Sequence, residues 1–233
     1  MGNGKKKFLK YLGAFMALVM VAVISITGTL AYLQTRTAAR QNTFTGSGDI
    51  SLQVVEEDWD GEGSAKAAQY TPGLVIPKDP ALKNTTGTNY SEWVAIRVDY
   101  YQGSPSSAVS YTDFAKQMGE DANTSKVIEG ITFNTTDWFD ITPPAVNYQV
   151  YAYKIPLEQN ITTNTLFDEV QINEKLVRDG SGSYPAFHIY ISGAAIKVET
   201  AHNGITDLSA TSDENTNIKN ALLAELAQVS ITP

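Results

Sequence analysis

The chain has 233 residues, 42% hydrophobic and 18% charged, enough apolar material for a packed core and too much for wholesale disorder. Its 17 basic and 25 acidic residues give a formal net charge of −8, which excludes the basic face a nucleic-acid partner requires. With no cysteine and two histidines, His188 and His202, the chain holds no disulfide, thiolate metal site, cysteine nucleophile or three-imidazole centre.

Lys5, Lys6, Lys7 and Lys10 precede 25 uncharged residues, Tyr11 to Thr35, apolar as far as Ile26. Basic start, apolar run and small-residue exit describe a secretory signal peptide. The exit is Thr29-Leu30-Ala31, so cleavage is expected after Ala31. Residues 1–31 are then the signal peptide and Tyr32 is the new N-terminus. A second small triplet, Thr37-Ala38-Ala39, lies farther from the apolar run. The same uncharged stretch is long enough to span a bilayer as a retained anchor, with the lysines on the cytoplasmic side. Either way the body is expected to leave the cytoplasm, secreted or at the cell surface, from a precursor held at the membrane through residues 11–33. Cleavage removes four lysines and no acids, so 13 basic residues remain against 25 acidic, a net charge of −12. Export without cysteine fits a Gram-positive surface. The Asn-x-Ser/Thr matches at Asn84, Asn89, Asn123, Asn134 and Asn160 are then expected only to mark polar surface loops.

The body reads as strands. Asp49–Val54 alternates apolar and polar residues, as a half-buried strand does. Glu56-Glu57-Asp58-Trp59-Asp60-Gly61-Glu62 follows as an acidic hairpin connection. Ser91–Tyr101 alternates more strongly, with Val94, Ile96, Val98 and Tyr100 on one face and Arg97 and Asp99 on the other. Tyr111–Met118 is a candidate short helix. Asn147–Ile155 is a strand rich in aromatic and β-branched residues. Val170–Ile172 is a short strand. Phe187–Val198 is a long one, in which Gly193 marks a bulge or bend. Glu214–Val229 carries Ile218, Leu222, Leu226 and Val229 at helical spacing, with Thr211 and Glu214 as a capping box. Many strands separated by turn clusters predict an all-β sandwich or barrel, one domain over residues 47–233 with short peripheral helices.

Candidate chemistry is sparse. His-Glu-x-x-His, Gly-x-Ser-x-Gly and a phosphate-cradling glycine loop are all absent from the sequence. His188 reads as a strand residue and His202 as a loop residue, neither with an enzymatic role. Asp58, Asp60 and Glu62 are the weak candidates for a Ca²⁺ site, without the spacing of an EF-hand loop. No cofactor is expected. The 23 aromatic residues offer glycan-binding surface or, equally, core and sheet pairing.

Gly28-Thr29-Leu30-Ala31-Tyr32-Leu33, then Asn42-Thr43-Phe44-Thr45-Gly46 and the strand Ile50-x-Leu52, resembles the export region of the TasA/camelysin family. These are bacterial surface and biofilm-matrix proteins processed by a SipW-type signal peptidase. Pro72-Gly73 with Lys78-Asp79-Pro80-Ala81-Leu82-Lys83-Asn84 resembles the family's turn and strand after the first hairpin. Phe187 to Ile196 resembles a late core strand of related exported proteins. The resemblance spans roughly residues 1–100 and 185–200, and Gln34-Thr35-Arg36 departs from it where an acidic residue is expected. It implies a jelly-roll-like sandwich preceded by a signal or transmembrane helix. It also implies a structural rather than enzymatic role in fibres, with residues 32–46 adding as a strand to the next subunit. That segment carries Tyr32, Leu33, Ala38, Ala39 and Phe44 and no proline, so it is chemically suited to join an open sheet edge. The implied partners are the chain itself, the signal peptidase and other matrix components. Camelysin relatives also suggest a secreted metallopeptidase, and an anchored surface binding module is a further alternative.

Overall fold

The computed structural model describes residues 44–45, 50–87, 90–103, 106–117, 119–120, 124–178, 182–198 and 205–229. The expected cleavage residues Thr29, Ala31 and Tyr32, the segment residues Leu33, Ala38 and Ala39, and His202 lie outside these. Among the described residues no helix is long and apolar enough to cross a membrane.

The described chain is mostly strand, paired in antiparallel sheets, with few helices: the all-β class expected from the sequence. The strands are β1 (Phe44–Thr45), β2 (Ser51–Val55), β3 (Val75–Pro77), β4 (Ala81–Asn84), β5 (Glu92–Gln102), β6 (Ser107–Val109), β7 (Trp138–Asp140), β8 (Tyr148–Tyr153), β9 (Glu169–Gln171) and β10 (Phe187–Lys197). The helices are α1 (Ser64–Ala67), α2 (Tyr111–Phe114) and α3 (Asp213–Ala227). One sheet runs β1-β2-β4 and a larger one β10-β5-β8-β7, with β6 continuing beside β5, while β3 pairs with β9.

β5 lies at the centre of the larger sheet. Its β-branched and aromatic residues suit the pleat, and Val94, Ile96, Val98 and Tyr100 are fully buried against Leu52, Val54 and Leu82 of the smaller sheet. Each such aliphatic side chain contributes roughly 1.5–3 kcal/mol by leaving water. The opposite face is covered too. Trp93, Ala95, Val150, Ala152 and Ala194 pack under Ile218, Leu222 and Leu226 of α3. Arg97 and Asp99 are on the second face, as alternation places them, and lie at the end of that helix. The Arg97 guanidinium donates to both Asp99 carboxylate oxygens at 2.8 and 2.7 Å and to the Leu226 carbonyl at 3.0 Å. It thereby satisfies a helix-terminal carbonyl.

Several local expectations are corrected. Gly193 marks no bulge, because the β10–β5 register is unbroken from Phe187↔Gln102 to Lys197↔Glu92. Gly193 is instead a point of close approach between the sheets. A Cβ there would lie 2.6 Å from Leu82 Cδ2 and 3.1 Å from Leu52 Cδ2. The acidic segment is no hairpin connection but a π-helical turn, Trp59–Gly63, running into α1. Asp79 Oδ1 caps that turn by accepting from the Asp58 and Trp59 N–H groups at 3.0 and 3.2 Å. α2 stops at Phe114 because Ala115 turns extended and bridges Ile128. The N-cap of α3 is Ser212, whose hydroxyl accepts from Asn215 N–H at 3.0 Å, not Thr211.

Candidate functional site

The features that distinguish this molecule are the edges of its two packed sheets, so the site is built from main-chain direction outward. In β2, the Ser51 carbonyl accepts from Thr85 N–H at 2.8 Å. Main-chain groups alternate sides along a strand. Ser51, Gln53 and Val55 therefore face β4, while Leu52 and Val54 face away. β1 meets Leu52 through the pairs Phe44↔Leu52 and Thr45↔Ser51. The outward main chain of Val54 has no hydrogen-bond partner among the described residues.

The far edge of the same sheet is closed. Asn84 N–H donates to the Ile161 carbonyl at 3.1 Å and Leu82 N–H to Thr163 Oγ1 at 3.0 Å. Asn160 N–H and Leu166 N–H return to the Asn84 and Pro80 carbonyls at 2.9 and 2.8 Å.

β10 is the outer strand of the larger sheet and is eleven residues long. Val198 N–H donates to the Ser91 carbonyl at 3.0 Å, and the Ala186 carbonyl accepts from Gly103 N–H at 2.8 Å. Even-numbered residues of β10 therefore face β5 and odd-numbered ones face outward. The outward main-chain groups of Gly193, Ala195 and Lys197 have no hydrogen-bond partner among the described residues. Because Leu52, Val54 and Leu82 lie against Gly193, the outer part of the small sheet and the β10 edge occupy one flank. The chain enters the body through β1 at this flank.

A buried polar knot ties the start of β2 to the end of β4, on the side of the closed edge. Thr86 Oγ1 accepts from Ser51 N–H at 2.9 Å and donates to Glu92 Oε1. Asn84 Oδ1 accepts from Thr86 N–H at 3.0 Å, and Asn84 Nδ2 donates to the Tyr90 and Leu157 carbonyls at 3.0 and 3.1 Å. Glu92 is fully buried, and its Oε2 has no hydrogen-bond partner among the described residues. Burial raises its carboxyl above the ordinary value, opposed by the Thr86 hydroxyl and by a main-chain hydrogen bond at Ser51. The sequence carried a signal for this residue that the strand reading passed over: Glu92 has the same parity as Val94, Ile96, Val98 and Tyr100, hence the core face. Asn84, fully buried in this knot, marks no surface loop, correcting the expectation drawn from its Asn-x-Ser/Thr match.

The residues singled out for chemistry do not converge. Asp58, Asp60 and Glu62 are exposed on the π-turn, and Glu62 makes an i,i+4 ion pair with Lys66 at 2.8 Å. Among the described residues no group of three or more His, Asp or Glu side chains is placed to hold a metal ion. The buried member of the acidic run is Glu56, paired with Lys78 at 2.6 Å, and the Lys78 ammonium lies 4.5 Å from the Trp59 ring centroid. His188 is a strand residue opposite Tyr101, stacked on Tyr190 with ring centroids 5.8 Å apart.

No protein-family model matches the chain, and no curated protein or solved structure matches it significantly.

Proposed function

We propose that the chain is an exported structural protein of a bacterial surface or matrix, assembling into fibres when the N-terminal segment of one subunit adds as a strand to another. The observation that carries this reading is the flank where the outward main-chain groups of Val54 in β2 and of Gly193, Ala195 and Lys197 in β10 lack partners among the described residues. Unpaired strand edges invite addition of another chain. The N-terminal sequence pattern supports export with cleavage after Ala31, which gives the segment from Tyr32 a free N-terminus, while Phe44 and Thr45 pair with β2 of the same chain. The TasA/camelysin resemblance supports the same role and a jelly-roll-like sandwich for the body.

The deciding experiment deletes residues 32–43 from a mature form produced in the cytoplasm and compares it with the undeleted form by negative-stain microscopy. Loss of fibres with a retained folded spectrum is expected. Undiminished fibres of the same spacing would remove this segment as the donor.

A further inference from the structure

We propose that Lys197 and Glu92 form a pH-operated latch within one chain. The Lys197 ammonium rests on the Tyr90 ring while Glu92 is a neutral acid, and crosses to the Glu92 carboxylate when the acid releases its proton to solvent.

Register brings the three groups together. Glu92 opens β5, Lys197 closes β10, and the two residues are directly paired across the ladder. Opposed residues on antiparallel neighbours share a sheet face, with Cβ atoms about 4.5–5.5 Å apart. A lysine side chain spans that gap to a glutamate carboxyl. Yet the Lys197 ammonium lies over the exposed Tyr90 ring, 3.3 Å from its centroid. Glu92 Oε1 accepts from the Thr86 hydroxyl, and Oε2 has no hydrogen-bond partner among the described residues.

The surroundings of Glu92 suit a neutral acid. The side chain is fully buried, and ionisation would leave a charged oxygen without a donor. The groups packed around it are mostly uncharged. β2 brings Ser51, the end of β4 brings Asn84 and then Thr86, and the segment that closes the far edge brings Leu157 and Gln159, whose Nε2 donates to the Thr86 carbonyl at 2.7 Å. Lys83 pairs with Gln53 and alternates onto the opposite face of the small sheet. Glu158, beside Leu157, is exposed. The titratable groups that face Glu92 from the described chain are therefore the Tyr90 phenol and, from β10, the half-buried Lys197.

One ammonium thus has two resting places. The ring holds it by a cation–π contact that leaves it partly in water. The carboxylate, once charged, offers a charge-assisted hydrogen bond and fills the vacant place at Oε2. In the second state the side chain ties the last residue of β10 to the first of β5, beside the knot. In acid the tie is released.

The test follows both ends of the latch by NMR in the exported chain. Glutamate isotope-labelled at the side-chain carboxyl reports Glu92, identified by the signal that Glu92→Gln removes. It is expected to titrate above the ordinary glutamate range. Lys197→Met should raise that midpoint by about one pH unit, a tenfold lower ionisation constant, and Lys197→Arg should restore most of the change. Lys197→Gln serves if the methionine variant loses its folded spectrum. Lysines carrying isotope-labelled methyl groups keep their charge and report the other end. The Lys197 signal, which Lys197→Arg removes, should show a ring-current shift in acid and lose it at the Glu92 midpoint. A Glu92 midpoint that the neutral Lys197 variants leave unmoved would overturn the pairing. A ring-shifted Lys197 signal that persists through the Glu92 transition would overturn the crossing, and a Glu92 midpoint in the ordinary range would overturn the neutral-acid state.

Discussion

The two flanks of the packed sheets solve the same problem in opposite ways. On one side, the outward groups of β4 are met by the irregular segment 160–166, which turns back at Asn160 with a positive φ of 61° to reach them. On the other side, β10 is more than twice as long as β4, yet the described chain supplies no closing segment at Gly193, Ala195 and Lys197. Closing an edge therefore does not require a regular strand, only a few correctly placed carbonyls and hydroxyls. The open flank is a difference of topology, set by the order β10-β5-β8-β7, and not of local sequence.

The sharpest way to break the comparison is to unpin the closed flank. Asn84→Ala leaves the Tyr90 and Leu157 carbonyls and Thr86 N–H without their present partner. Orphaned buried groups cost about 1–3 kcal/mol each, so a loss of at least about 3 kcal/mol is expected. That corresponds to a fall in Tm of roughly 6–12 °C for a chain of this size. Hydrogen exchange should rise first in residues 160–166. A melting temperature within about 2 °C of wild type would show that the knot is not what holds this flank.

A smaller effect is expected where the two sheets touch. Gly193→Ala inserts a methyl 2.6 Å from Leu82 Cδ2, and Leu82 is itself fully buried. Overpacking of this kind costs about 1–3 kcal/mol, because neighbours must leave their rotamers. Urea denaturation gives the value. A paired Leu82→Val change should recover part of the loss, and a neutral Gly193→Ala would mean the sheets can slide apart at that point.

The longest elements were legible in the sequence. Ser91–Tyr101, Asn147–Ile155 and Phe187–Val198 are long, β-branched and aromatic, and all became strands with ends shifted by at most two residues. Val75–Pro77, Ser107–Val109 and Trp138–Asp140 were invisible, since three residues carry no periodicity and each exists because a distant strand pairs with it. The cover over Arg97 and Asp99 was not legible for a related reason. Alternation located them on the second face, but the helix covering that face comes from more than a hundred residues downstream. The open flank was legible only as raw material, because whether a strand is central or outermost depends on which partners it finds. Glu92, in the knot beside the closed edge, announced itself by parity, as an acid on a core face.

The smallest expected effect concerns that acid and sets the pH behaviour of the seam between the flanks. Burial raises the folded-state carboxyl of Glu92 above its unfolded value, so folding favours the protonated form. Its contribution is then full below the ordinary glutamate value, near 4.3, and is lost as pH rises through the raised folded value. Asp99 is raised in the same direction, burial outweighing its hydrogen bonds and attraction to Arg97, so the wild-type profile alone does not isolate Glu92. Glu92→Gln does, because glutamine keeps the shape of the neutral acid and still accepts from the Thr86 hydroxyl. The stability difference, variant minus wild type, should be flat in acid. It should grow as pH rises above the ordinary glutamate value, by at most about 1.4 kcal/mol per pH unit, and level off above the raised folded value. Chemical denaturation of both chains between pH 4 and 8 measures it. A difference that shrinks with rising pH would mean that Glu92 is held charged in the folded chain, with the Thr86 hydroxyl and the main chain at Ser51 outweighing its burial.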